Sequence, residues 1–201
     1  MSDPIFKPIF GESWDNLPPV MKAHYANRPF CEDAFRVKGT MAVWAAPMLK
    51  IFAPITRLLG WIPIAHAKNI PVTVDFKSNP QSSDFHFVRT FHFPGKKSYV
   101  FHSRMIPGGG NHMAERMNCG ACWRIAFQWE DGKVKLRHRG YGLNVFGTIL
   151  PLPLNWILGS VHAEEWPLGD NSFGMAVEIH HPLFGKIYEY RGDFELVNKD
   201  D

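Results

Sequence analysis

Between residues 70 and 197 the chain keeps an almost unbroken period of two, with apolar and polar side chains alternating through one short run after another. No other feature constrains the fold as strongly, because alternate residues of a strand point to opposite faces of a sheet. The pattern predicts strands over 72–77, 85–93, 98–106, 112–119, 122–130, 133–141, 162–166, 173–180 and 185–197. Between several of them stand PGKK, PGGGN, EDG and PLGDNS, the residue types that tight turns require. Asp131-Gly132 suits a two-residue hairpin turn, which needs positive φ. Connections this short impose antiparallel neighbours, since a parallel return takes about a dozen residues or more. The expectation is an α+β chain that is mainly β: a strongly curved antiparallel sheet or barrel, lipocalin-like or START-like, forming one domain over residues 1–201.

Ahead of the strands the spacing is helical. Residues 14–27 are expected to form a helix capped by Asp15 or Asn16, with Pro18-Pro19 in its first turn. Residues 31–43 read as extended, with a bulge or bend at Gly39. Residues 44–65 are strongly apolar, but Lys50 and Arg57 interrupt them and Pro47, Pro54 and Pro63 punctuate them, so a transmembrane helix is not expected. Met48, Leu49, Phe52, Ile55, Leu58 and Leu59 recur at spacings of three and four. They predict an amphipathic helix, kinked at Pro54 and ended at Gly60, that covers the core. The sharper alternative is a lid or a membrane-touching surface.

Composition removes several functional classes. With 45% hydrophobic, 14% aromatic and 20% charged residues, the chain is not a disordered tail. The net charge is only +3, and the basic run 133–139 alternates with Val134, Leu136 and His138. That is the solvated face of a strand, so no nucleic-acid partner is expected. The first residues, MSDPIFKPIF, lack the pattern of a secretory signal, and three cysteines are an odd number. A reducing cytoplasm without disulfides is the expectation. Cys119 and Cys122 form a CxxC, but it leads into a strand rather than a helix and has no second pair, so no metal is expected there. His180 and His181, adjacent on a strand, point to opposite faces. No cofactor-binding fingerprint occurs, and no cofactor is expected.

The candidate site consists of polar residues in register with the apolar faces. Phe85, Phe87, Phe91 and Phe93 share a strand face with Arg89, and Met113, Met117 and Cys119 share one with Glu115. Val134 and Leu136 align with His138, and Tyr188 and Tyr190 align with Phe194 and Leu196. A buried Arg89 needs a partner, and Glu115 is the natural one. The pair either specifies strand register or forms the centre of an aromatic-walled cavity. In the second case Arg89, Phe87, Phe91, Met117 and Tyr188 would bind ligand, and Glu115, His138 and Tyr190 are the candidate catalytic acids, bases and donors.

The early LPPVMKAHY, VKGTMAV, VRTF, MAERMN, RGYGLNVFGTILPLPL and the closing HPLFGKIYEYRGDF together resemble a bacterial family of domains of unknown function. That family is often found C-terminal to saccharopine-dehydrogenase-like NAD(P)-binding domains. The likeness spans residues 10–197. It implies that His24, Gly39, Arg89, Phe91, Glu115, Arg139, Gly140, Gly147, Pro151, Tyr190 and Gly192 are pattern positions. Phe87 stands where the family usually has tryptophan, which keeps the position aromatic. The resemblance implies no reaction, and without the dehydrogenase domain it carries no NAD(P) function to this chain.

Three readings follow: a protein that binds an apolar small molecule in an aromatic cavity, a cofactor-independent isomerase, cyclase or lyase acting on an apolar substrate, and an interaction domain docking on an NAD(P)-dependent dehydrogenase. An incompletely closed sheet would also leave edge strands for a homodimer to cover.

Overall fold

The computed structural model describes residues 2–197 and contains eleven strands joined in a single antiparallel sheet. They are β1 (Ala34–Ala45), β2 (Ala67–Ser78), β3 (Phe85–Phe91), β4 (Tyr99–Gly109), β5 (His112–Met117) and β6 (Ala121–Glu130). The others are β7 (Lys133–Val145), β8 (Thr148–Leu152), β9 (Ser160–Pro167), β10 (Ser172–His181) and β11 (Gly185–Val197). Neighbours run β6-β5-β4-β3-β2-β1-β11-β10-β9-β7, and β7 also pairs with β6, which closes a ten-stranded barrel. The long β7 makes closure possible. Its first part pairs with β9 through Val134–Arg137, and its last part, Tyr141–Val145, pairs with β8 outside the barrel. Closure removes every sheet edge except the outer side of β8, so the expected homodimer has little edge to cover.

The predicted strands all recur, and the sheet adds β8 and the four-residue helix α4 (Asn155–Leu158) in a stretch without clear alternation. The helical segments depart further from expectation. Instead of one capped helix over 14–27 there are α1 (Lys7–Phe10), a tight 3-10 turn and α2 (Pro19–His24), with no side-chain cap on any of them. Pro19 does occupy the first turn of α2. Together these elements plug the end of the barrel where β1 begins. Phe6 stacks edge-on against Phe85 and Phe127, and Phe10 meets Tyr25 and Phe127.

At the opposite end, residues 46–66 cross the mouth as a cap. A 3-10 turn over Pro47–Phe52 breaks into α3 (Ala53–Leu59), which Gly60 ends in the left-handed conformation. The cap is tied down by Tyr188 Oη donating to the Pro63 carbonyl (2.9 Å) and by Asn118 Nδ2 donating to that of Leu59 (2.7 Å). The amphipathic expectation fails here in one respect: Met48, Phe52, Ile55 and Leu58 face solvent, while Leu49, Ile62 and Ile64 pack on the core. Helical spacing identifies an apolar face but not what it faces.

Gly39 is not a bulge, which falls instead between Met41 and Val43. It permits close approach: a Cβ there would stand 2.0 Å from the Asp193 carbonyl oxygen of β11. Gly192 does the same from the other strand, 2.4 Å from the Thr40 oxygen. These glycines let β1 and β11 coil tightly at the barrel seam. Gly39→Ala is therefore expected to cost about 1–3 kcal/mol, seen as a melting temperature lower by several degrees, whereas Gly95→Ala, whose added Cβ meets no atom but sits at a left-handed φ of +67°, should cost only that strain, about 1 kcal/mol.

Candidate functional site

Alternation sends the odd-numbered residues of β3 and β4 into the barrel, where Phe91, Phe101 and Met105 are buried. The same parity carries Arg89 and Ser103 inward, and β5 delivers Glu115 from the next strand. Arg89 Nη2 donates to Glu115 Oε1 at 2.7 Å, Arg89 Nη1 to Ser103 Oγ at 3.2 Å, and Ser103 Oγ to the same Glu115 oxygen at 2.7 Å. The guanidinium lies between two aromatic faces, 3.4 Å from the Phe87 ring centre and 4.4 Å from that of Phe101. A charge this deep is tolerated because its partner and its ring faces replace water.

A second buried centre faces the first across the barrel. Glu165 on β9 accepts hydrogen bonds from Tyr25 Oη and from His24 Nε2, the latter at 3.2 Å. Burial alone would push the Glu165 carboxyl up. The His24 ring, the bonds from His24 and Tyr25, and Arg89 acting through space outweigh it, and the group titrates below its ordinary value. Burial, together with the charge of Glu165, holds the Tyr25 phenol well above its ordinary range.

Between the centres lies a small void. His24, Arg89 and Glu165 line it with Phe76, Phe87 and Phe173, and Met41 and Met175 add flexible walls. Its volume is about 10 Å³, room for roughly one water molecule. The aromatic residues thus face inward as expected, but they fill the barrel and leave no spacious cavity. Phe35, Phe76 and Phe87 stack in a ladder across β1, β2 and β3, with ring centres 4.4 and 4.7 Å apart. Two buried polar atoms in this region have no partner: Arg89 Nε and His24 Nδ1.

The other sequence-predicted residues divide in two. Tyr190 is buried close enough to feel the charges of Arg89, Glu115 and Glu165, and burial raises its phenol above the ordinary range. Tyr188 is fully buried, but its hydroxyl is committed to the cap. Phe91 packs within the core, and Met117 lies partly buried against it. His138 does not join the centre. Trp123 Nε1 donates to its Nδ1 (3.0 Å) and Asn155 Oδ1 lies 3.0 Å from its Nε2, so the neutral Nε2–H tautomer satisfies both bonds. Its pKa is lowered, first by burial. His138 keeps the inward parity of Val134 and Leu136 and pairs with Ile125, but it lies just past the β7 residues that pair with β9, and its ring is held by Trp123 and Asn155 instead of reaching the Arg89 centre.

Sequence reasoning missed Ser103, Tyr25 and Glu165. Glu165 had a signal, since Val161 and Ala163 precede it at the same parity. The basic run 133–139 behaves as a solvated face: Lys133 pairs with Glu164, and Lys135 and Arg137 pair with Glu130. Among the described residues no cluster of His, Cys, Asp and Glu is arranged to hold a metal ion.

Comparison with known proteins gives one family. Residues 17–194 match the model of a domain of unknown function, DUF4166. No curated protein matches the chain. A solved structure from Thermobifida fusca YX, described as a candidate thioesterase II, aligns over 82% of this chain and 79% of its own at 8% identity. Its TM-score of 0.26 is too low for the likeness to bear on fold or function.

Two outcomes are expected. Glu115→Ala leaves Arg89 buried and unpaired and should cost about 3–5 kcal/mol, against about 1 kcal/mol for Ser103→Ala, in urea unfolding. Glu165 has a folded pKa below its unfolded value, so its contribution is present above about pH 4.3 and lost as pH falls through the folded value. Glu165→Gln should flatten that acid limb of the stability curve; an unchanged slope would remove Glu165 from the account.

Proposed function

The chain belongs to this family of unknown function, and from its buried polar centres we propose that it binds a neutral, apolar small molecule carrying a carbonyl or hydroxyl group. One observation carries the reading. Two charged centres flank an internal void, and Arg89 Nε and His24 Nδ1 are left without partners though buried. An unsatisfied buried polar atom costs about 1–3 kcal/mol, and an apolar barrel interior would avoid that cost. A ligand carbonyl accepting from Arg89 Nε–H, or a hydroxyl donating to His24 Nδ1, offsets it.

The charge balance selects against an anion. Glu115 already neutralises Arg89, and Glu165 adds a second carboxylate beside the void. A ligand carboxylate would find the Arg89 charge already taken by Glu115 and would lie beside the Glu165 carboxylate. A void of about 10 Å³ holds only the polar end of such a molecule in this conformation; the remainder must displace Met41 and Met175, unbranched side chains that repack readily. The enzyme alternative has less support, since Glu115 is engaged by Arg89 and Ser103, His138 lies outside the centre, and burial holds the Tyr190 phenol above its ordinary range.

The test is native mass spectrometry of the purified protein, followed by thermal shifts with a quinone, a long-chain alcohol and a long-chain fatty acid. The expected result is a retained neutral apolar molecule, or a stabilising shift with quinone or alcohol that exceeds the shift with fatty acid. Met175→Phe fills the void without touching the polar groups and should abolish the effect. No retained molecule and no shift with any probe would overturn the proposal, as would an undiminished shift in the Met175→Phe protein.

A further inference from the structure

The exposed apolar side chains are not scattered over the barrel. Of the large hydrophobic residues left in solvent, all but Phe30 and Leu168 lie at the capped end. They come from separate connections. The cap contributes Ile51, Phe52, Ile55 and Leu58, with Leu58 84% exposed. The β7–β8 turn presents Phe146, wholly in solvent, and α4 presents Trp156 and Ile157. The β10–β11 turn adds Leu183 and Phe184. A patch assembled from four connections exceeds what chance exposure leaves on a monomer, and such patches mark contact surfaces.

Charge identifies the partner. The connections at this end, residues 46–66, 92–98, 118–120, 146–147, 153–159 and 182–184, contain no aspartate or glutamate but do contain Lys50, Arg57, Lys96 and Lys97. These four cations are exposed and form no ion pair among the described residues. On the adjoining strand ends, Glu178 and Glu189 are already held by Lys186. The plugged end has the opposite character, with Asp3, Glu12, Asp15, Asp84, Asp131 and Asp170 in or beside its connections. The barrel wall between the ends carries outward ion pairs such as Arg36–Asp75 and Lys133–Glu164, so it faces water and not lipid.

We propose that the capped end docks on an anionic membrane surface. Ile51, Phe52, Ile55, Leu58, Phe146 and Trp156 enter the boundary between headgroups and acyl chains, while Lys50, Arg57, Lys96 and Lys97 lie among the phosphates. Exposed apolar side chains sharing one end of a protein with unpaired cations are the pattern that binds such surfaces, with each basic residue adding attraction. A second copy of the chain fits less well, because two such ends would bring like charges together. No described helix is long and apolar enough to cross a membrane, so the contact is interfacial. This inference does not require the barrel to hold a ligand.

The full-length protein is sedimented with phosphatidylcholine vesicles containing one quarter phosphatidylglycerol, and with pure phosphatidylcholine vesicles. Binding is expected to favour the anionic vesicles by about tenfold or more and to fall with salt. Ile51→Glu/Phe52→Glu and Lys50→Glu/Lys97→Glu change only exposed positions and should each lose about tenfold in partitioning with unchanged circular dichroism. Wild-type failure to bind either vesicle overturns the proposal. So does equal binding by the apolar double variant, or a concentration-dependent dimer that this variant abolishes, which would assign the patch to a second copy.

Discussion

Closure of the sheet is the constraint on which the rest of the molecule depends. β7 reaches β6 along one side while dividing its other side between β9 and β8, and this joins the two ends of the strand order. Once closed, the barrel withdraws most inward side chains from water. Apolar residues satisfy that condition by packing, and the Phe35–Phe76–Phe87 ladder is one result. The polar residues that share their parity must find partners inside, or remain unsatisfied.

The interior meets this demand with two linked centres. Arg89 is bound by Glu115 and Ser103, flanked by Phe87 and Phe101, and within electrostatic range of Glu165. The plug is part of the same arrangement, because α2 delivers His24 and the following residue, Tyr25, to Glu165 from outside the sheet. Core packing, plug and polar centre are therefore one unit. The cap is different in kind: it is held by a few backbone-directed hydrogen bonds and turns its apolar stripe outward.

Much of this was legible from alternation. The parity of β3 and β5 placed Arg89 and Glu115 on inward faces, and burial cost then required them to meet. Glu165 obeys the same rule, but Tyr25, its partner, is 140 residues distant and lies at the end of a helix, where strand parity says nothing. His138 keeps the inward parity of Leu136, but parity places a residue on a face and not along the barrel, and its ring meets Trp123 and Asn155 there. The cap was misread because periodicity reports that a helix has two faces, and only tertiary structure decides which is buried. Closure through the divided pairing of β7 had no local signature at all, being a pairing between distant strands.

Whether the Arg89 centre serves binding or stability is the question on which the account rests. Replacing Arg89, Ser103 and Glu115 together with Met, Ala and Leu removes both charges at roughly conserved volume, a change that is often neutral or stabilising by about 1–4 kcal/mol in a buried ion pair. The decisive measurement is urea unfolding of this triple variant alongside its thermal shift with a neutral apolar ligand. The account predicts undiminished stability and a lost shift; a collapse in stability, or a shift equal to that of the wild-type protein, would contradict it.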